Sequence, residues 1–161
     1  MLQATTTLRP MRTDDVPAVL AIEVRTYSHP WSGGNFVDSL AAGHIAEMLI
    51  AGTEPIGYVI AQVGVDELHL LNMTVAADHQ RRGHARTLLD ALRAHARSRG
   101  LSAIWLEVRA SNQRAQQVYL AHGFVQAGVR RGYYPHAGPR REDAVLMTLQ
   151  VAPDAGDRGA G

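Results

Sequence analysis

Three stretches of the chain carry side chains able to do chemistry. Glu107 sits near the end of the apolar run Ala103–Val108, AIWLEV. A carboxylate in a buried strand is costly unless it is hydrogen-bonded or used, so Glu107 is a candidate for chemistry. The other reading is a strand-edge glutamate facing water. Tyr119 follows twelve residues later, in a segment ending at Gly123. With Val118 and Phe124 nearby, a core tyrosine is the reading that the residues alone favour. The third stretch is Gln80-Arg81-Arg82-Gly83-His84-Ala85, with Arg86 behind it. Such a loop, if it opens a helix, aims unpaired backbone N–H groups outward at the positive end of the helix dipole. Gly83 has no side chain to hold an anion off, so the loop reads as a diphosphate cradle. Arg81 and Arg82 could also be an ordinary solvated pair.

The cradle matches neither nucleotide-binding pattern. It lacks the Gly-Lys-Ser/Thr ending of a P-loop and the three glycines of a dinucleotide fingerprint. The chain has no cysteine, which removes a thiol nucleophile and a thiolate metal site. Its eight histidines show no HxxxH or HxH pairing, so no metal is expected. No Gly-x-Ser-x-Gly elbow offers a serine nucleophile. A net charge of +1 argues against direct nucleic-acid binding. No apolar run reaches the 18 or so residues that span a bilayer, and the N-terminus has no signal-peptide core. A cytoplasmic protein without membrane contact is the expectation.

These side chains need elements to position them. Leu68–Val75 reads as a strand rich in Leu, Met and Val. Ala85, Leu88, Leu89, Leu92 and Ala96 keep one face of a long helix, which Gly100 stops. Asn112 opens the helix that carries Tyr119 and is an adequate N-cap in its own right. Upstream, Thr5–Pro10 is a short strand. Thr13 is placed to cap a helix in which Val16, Val19, Leu20, Val24 and Tyr27 keep helical spacing. His29-Pro30-Trp31 breaks that helix. Ser32 could cap a second one with Phe36 and Leu40, although Gly33 and Gly34 weaken it. Ile45–Ala51 and Ile56–Val65 form a hairpin across Gly52–Pro55, and Phe124–Tyr134 and Asp143–Val151 are two further strands. The 161 residues suggest one domain over 1–151, an α/β (α+β) arrangement with a mixed sheet flanked by helices, and a disordered tail over 152–161.

Read together, NMTV, QRRGHA, LEVRASN and VYLAHGF resemble the GCN5-related N-acetyltransferase (GNAT) family, over about Leu8–Gln150. Within it the match is sharpest to the ribosomal-protein-alanine (RimI) type. That match rests on Ile22-Glu23, Pro30-Trp31-Ser32, Trp105–Asn112, Arg130–Pro135 and Arg141–Ala144. Two positions depart from the family pattern: Ala85 replaces a second glycine, and Gly33-Gly34 falls in a helix that borders the acceptor site in relatives. The resemblance implies a mostly antiparallel sheet splayed between its two central parallel strands. It implies acetyl-CoA as cosubstrate, with the diphosphate on Gln80–Arg86. The backbone of Met73, Thr74 and Val75 would pair with the pantetheine arm, and Asn112 would contact it. Glu107 would be the general base and Tyr119 the general acid, with Trp31, Tyr133 and Tyr134 as walls of a peptide groove. The acceptor would be the N-terminal segment of a ribosomal protein, small-subunit protein eighteen first, and the enzyme a monomer or weak dimer. A lysine or small-amine acceptor and a CoA-binding module without turnover are the alternatives.

Overall fold

The computed structural model describes residues 5–136 and 138–152, so most of the expected tail lies outside the described residues. Among the described residues the elements are β1 (Thr6–Pro10), α1 (Val16–Thr26), α2 (Gly33–Ala41), β2 (Ile45–Ala51), β3 (Glu54–Val63) and β4 (Glu67–Val75). There follow α3 (His84–Ser98), β5 (Ala103–Arg109), α4 (Gln113–Ala121), β6 (Val125–Pro135) and β7 (Arg141–Gln150). The strand order is β1-β2-β3-β4-β5-β7-β6. The β1/β2, β2/β3, β5/β7 and β6/β7 ladders are antiparallel, and β4/β5 is parallel. This is the expected mixed, mostly antiparallel sheet. The parallel ladder joins Glu67–Leu70 to Ala103–Leu106 and stops there, which is the expected splay. Among the described residues no helix is long and apolar enough to cross a membrane.

The chain groups into two compact units. The first takes the described part of 1–63 together with 71–88. Its core gathers Val16, Val19, Phe36, Met48, Tyr58 and Ile60. The periodicity of α1 is read correctly at Val16 and Val19 but not at Val24, which is 52% exposed. The inward position one turn on from Val19 belongs to Glu23 instead, at 1% exposed. Thr13 does not cap α1. It opens a short 3-10 turn, Thr13–Asp15, and the Asp15 carboxylate accepts the Arg12 N–H at 2.8 Å. The Arg12 amide is served by Asp15, the third residue of that turn, and not by Thr13. The second helix is firmer than its glycines suggest. The Ser32 hydroxyl accepts the Asn35 N–H at 3.1 Å while the Asn35 side chain accepts the Ser32 N–H at 2.9 Å, a reciprocal capping box. Phe36, fully buried, then anchors it.

The second unit takes 64–70 together with the described part from 89. Leu89, Leu92 and Ala96 of α3 are fully buried, and Gly100 ends the helix with φ +67°. Strand β5 alternates inward Ile104, Leu106 and Val108 with Trp105, Glu107 and Arg109 on its other face. Its partner β7 pairs with it along its whole length. Between Arg130 and Tyr134 of β6 the register against β7 slips, with Gly132 at φ +59°. A bulge of this kind bends a strand and re-aims its side chains, here Tyr133 and Tyr134.

Candidate functional site

In the first unit the loop over residues 80–83 opens the helix α3. The first bond of the α3 ladder runs from the Thr87 N–H to the Gly83 carbonyl at 3.3 Å, so the preceding amides stand at an open helix start. Two loop residues are left-handed, Arg81 at φ +64° and Gly83 at φ +86°. For arginine that conformation is strained, and alternating left-handed residues turn successive N–H groups toward one side. A Cβ placed on Gly83 would meet nothing within 4 Å, so the glycine faces open space. Burial, then the neighbouring His79 and Arg82 charges, push His84 below its ordinary value. Arg81 and Arg82 add positive charge beside this helix start, as an anion site needs. These features fit a CoA diphosphate.

Other members of the expected cofactor set have work within the chain. Gln80 donates its side-chain amide to the Val75 carbonyl at 2.9 Å and braces the loop from behind. Thr74 is 2% exposed, and its hydroxyl donates to Asn72 Oδ1 at 2.8 Å. Only its backbone is left for a ligand. The Met73 carbonyl accepts the Tyr27 hydroxyl at 3.1 Å. Gly57 lets this segment of β4 come close, since a Cβ there would sit 2.8 Å from the Thr74 carbonyl oxygen.

Behind Met73 lies a buried polar network centred on Glu23. Its Oε1 accepts the Tyr58 hydroxyl at 2.6 Å and Asn72 Nδ2 at 3.0 Å, and its Oε2 accepts the Trp31 backbone N–H at 2.9 Å. Tyr27 adds a hydroxyl contact to Thr74 Oγ1 at 2.8 Å. Burial pushes Tyr27 up to about 12 and raises Tyr58 still further, with the Glu23 carboxylate adding to both. Both phenols are therefore donors at neutral pH. The network fixes the loop after α1 and the Trp31 ring, which leans on Phe36 at 5.1 Å. Trp31 in turn lines a cavity of about 480 Å³ with Asn35, Asp38, Ser39, Ala42, His44 and Leu71.

In the second unit Glu107 is the centre. Its side chain is 6% exposed, Oε1 lies 3.3 Å from His69 Nε2, and Oε2 is buried with no hydrogen-bond partner. The solvated strand-edge reading of Glu107 is therefore wrong. The Tyr133 hydroxyl is held above its ordinary value first by its interaction with this carboxylate, although it makes no bond to Oε2, and then by burial. Tyr134 is pushed up to about 12, first by burial and then by the Glu107 charge. The two tyrosine rings meet edge to face at 4.9 Å. Arg109 lies over Tyr134 at 4.5 Å and holds the Pro135 carbonyl at 2.8 Å and Glu142 at 3.2 Å. Arg130 lies over Tyr133 at 5.5 Å.

Asn112 does what its sequence position allows by itself: its Oδ1 accepts the Ala115 N–H at 3.2 Å and caps α4. Tyr119 is 8% exposed, with its ring edge to face against Phe124 at 5.4 Å. The structure brings Glu107, Tyr133 and Tyr134, given separate roles from the sequence, into one cluster with His69, which sequence reasoning missed; in the first unit it missed the part played by Glu23 and Asn72. The signal for Asn72 was present. Leu68, Leu70, Asn72 and Thr74 share one face of β4 by the two-residue period, so two polar residues had to be buried beside two leucines.

The chain's relatives fit this geometry. A model of the acetyltransferase (GNAT) family matches residues 16–124. The [ribosomal protein bS18]-alanine N-acetyltransferase of Escherichia coli K12 is 38% identical over 91% of this chain and 98% of its own length. Its Salmonella typhimurium LT2 counterpart is 39% identical over the same shares. The crystal structure of the ribosomal-protein-S18-alanine N-acetyltransferase from E. coli superposes with a TM-score of 0.84 at 36% identity, over 94% of this chain and 97% of that one. Ard1 from Thermoplasma volcanium, 20% identical, shares the fold with a TM-score of 0.81 over 91% of this chain and 98% of its own.

Proposed function

The chain belongs to the GNAT acetyltransferase family, and from that premise we propose that it acetylates the N-terminal α-amine of a protein, with the N-terminal alanine of ribosomal protein bS18 as acceptor. One observation carries the chemistry: the buried Glu107 carboxylate keeps one oxygen without a partner. The acceptor follows the likeness to the E. coli enzyme across nearly its whole length.

Acetyl-CoA, when bound, supplies an activated acyl carbon. Gly83 and the amides at the start of α3 hold its diphosphate, helped by the positive field of Arg81, Arg82 and Arg86. The backbone of Met73–Val75 and Asn112 serve the pantetheine arm. An α-amine has a pKa of roughly 7.7–8.0 and is mostly protonated at neutral pH, so it must lose a proton to become a nucleophile. Glu107 Oε2 takes that proton. The neutral amine would then bond directly to the acyl carbon as the carbon–sulfur bond breaks, and Tyr119 would give its hydroxyl proton to the departing sulfur; direct attack needs no enzyme nucleophile, in agreement with the absence of cysteine. Trp31, Tyr133 and Tyr134 receive the acceptor peptide.

The test is acetyl transfer to peptides that differ only in residue one, with mass spectrometry of the product. An alanine-started peptide is expected to be acetylated on its α-amine and left unmodified at internal lysines. An acetyl group on lysine defeats the acceptor assignment while leaving the family intact. Tyr119→Phe is expected to lower kcat by roughly 10²–10⁴-fold with acetyl-CoA affinity kept. Near-normal kcat in that variant makes Tyr119 a packing residue.

A further inference from the structure

We propose that His69 is a positioning residue for the base: its Nε2–H holds Oε1 of Glu107 and reserves Oε2 as the oxygen that takes the proton. The proposal rests on the reading of Glu107 as the general base.

His69 and Trp105 stand opposite each other in the parallel β4/β5 ladder. Their rings stack at 3.7 Å with planes 6° apart. The stack fixes the plane of the imidazole, and Glu107 lies two residues beyond Trp105 on the same face of β5. Nε2 therefore points along the strand at the carboxylate, 3.3 Å from Oε1. A carboxylate only accepts, and a neutral imidazole has one N–H. The nitrogen facing Oε1 must then carry the hydrogen, and Nδ1 becomes the free acceptor.

The charge state matters as much as the geometry. Burial lowers His69 from its ordinary value, the Glu107 charge on β5 raises it, and Arg130 on β6 lowers it again, with the net direction downward. At neutral pH the ring is neutral. A charged imidazolium at this distance would form an ion pair with Glu107 and make it a poorer base. A neutral donor orients the carboxylate and leaves most of its basicity in place. Tyr133 and Tyr134, which also face Glu107, stay protonated because both are held above their ordinary values. Nothing else contacts Oε2 by hydrogen bond. The sequence disguises this role, since His69 reads as an isolated polar residue in an apolar strand.

Two measurements on the full chain test it. Long-range proton–nitrogen spectra of the resting protein at neutral pH are expected to show the Nε2–H tautomer at His69, with the preference lost in Glu107→Ala. A wild-type ring in the Nδ1–H form overturns the proposal. In turnover, His69→Phe keeps a flat ring against Trp105 and removes the N–H. Its kcat is expected to fall at least tenfold while KM for acetyl-CoA stays within twofold, and His69→Gln, which restores a donor, is expected to recover part of the loss. Wild-type kcat in His69→Phe, or equal losses in the Phe and Gln variants, overturns it. If the wild-type chain acetylates no amine, the functional reading fails, and the tautomer measurement still decides whether His69 holds Glu107.

Discussion

Glu23 and Glu107 both hold their carboxylates away from water, and they do so on different terms. Glu23, in the first unit, has three donors on its two oxygens: a tyrosine hydroxyl, an asparagine amide and a backbone N–H. Glu107, in the second, has a histidine beside one oxygen and nothing on the other. Removing a carboxylate from water is costly in both places. At Glu23 the hydrogen bonds offset that cost, and the return is a fixed arrangement of α1, Tyr58, Asn72 and the Trp31 loop. At Glu107 the cost is left partly uncompensated, which keeps an oxygen available to a proton. Complete satisfaction at Glu23 fits a residue that organises structure, and the orphaned oxygen at Glu107 is what supports its proposed role as the base.

The largest effects separate these two residues. Glu107→Gln keeps the shape and removes the proton acceptor. Its rate is expected to fall by roughly 10²–10⁴-fold and to recover in part at high pH, where the amine is already neutral. Its stability is expected to change by less than about 1 kcal/mol, because Oε2 had no bond to lose. Glu23→Gln is expected to do the reverse. A carboxamide has one oxygen where three donors converge, and its NH₂ turns a donor toward a donor. A loss of about 1–3 kcal/mol in urea unfolding follows, with activity surviving in the folded fraction. A Glu23→Gln protein that is stable yet inactive would break the comparison, since Glu23 would then belong to the chemistry as well.

A second comparison lies at the two ends of α3. Gly83 and Gly100 have φ of +86° and +67°, and a Cβ on either would meet nothing within 4 Å. Valine should therefore strain the backbone at both positions by a similar amount, on the order of 1–2 kcal/mol. Only Gly83 stands where an anion is proposed to approach. Gly83→Val is expected to weaken acetyl-CoA binding by at least tenfold, which is about 1.4 kcal/mol, and Gly100→Val to leave it unchanged. Calorimetric titration of both variants reads the difference. Equal affinities would reduce Gly83 to a turn residue and remove the cradle.

The contrast between the glutamates also explains what could be read without coordinates. Glu107 was legible because a lone acid inside AIWLEV violates the apolar run around it. Glu23 was not, because an acid between Ile22 and Val24 is ordinary in an amphipathic helix. Helical spacing admitted two faces there, and the apolar Val24 was assigned inward when it is Glu23 that is buried. Local pattern cannot report that three donors from distant segments await a carboxylate. The same limit hid His69, whose partner is a residue on another strand, 3.3 Å away. Strand and helix positions were legible to within a few residues, since periodicity and glycine stops are local. The α1 cap was misassigned from Thr13 for a related reason: the acceptor is set by a 3-10 turn that composition does not announce.

That cap supplies the smallest expected effect, and it sharpens the comparison from the solvent side. Asp15 is a third partnered carboxylate, with Arg9 at 2.7 and 2.8 Å in a two-point contact and the Arg12 N–H at 2.8 Å. Unlike Glu23 it meets water, and the Arg9 side chain is 44% exposed. The Arg9 hydrogen bond, first among its causes, holds Asp15 below the usual carboxylate value. A carboxylate with a depressed folded-state pKa contributes its stability above its unfolded value of about 3.9 and loses it as pH falls through the folded value. Arg9→Ala should therefore lower stability slightly near pH 7, where the contribution is fully present, and shift acid unfolding toward higher pH by a fraction of a unit. Water and salt screen a pair this exposed, so the shift is expected to shrink as salt is added. Circular dichroism along an acid titration, at low and high salt, reads it. A shift that persists undiminished in high salt would mean that Asp15 is held, like Glu23, by bonds that solvent does not reach.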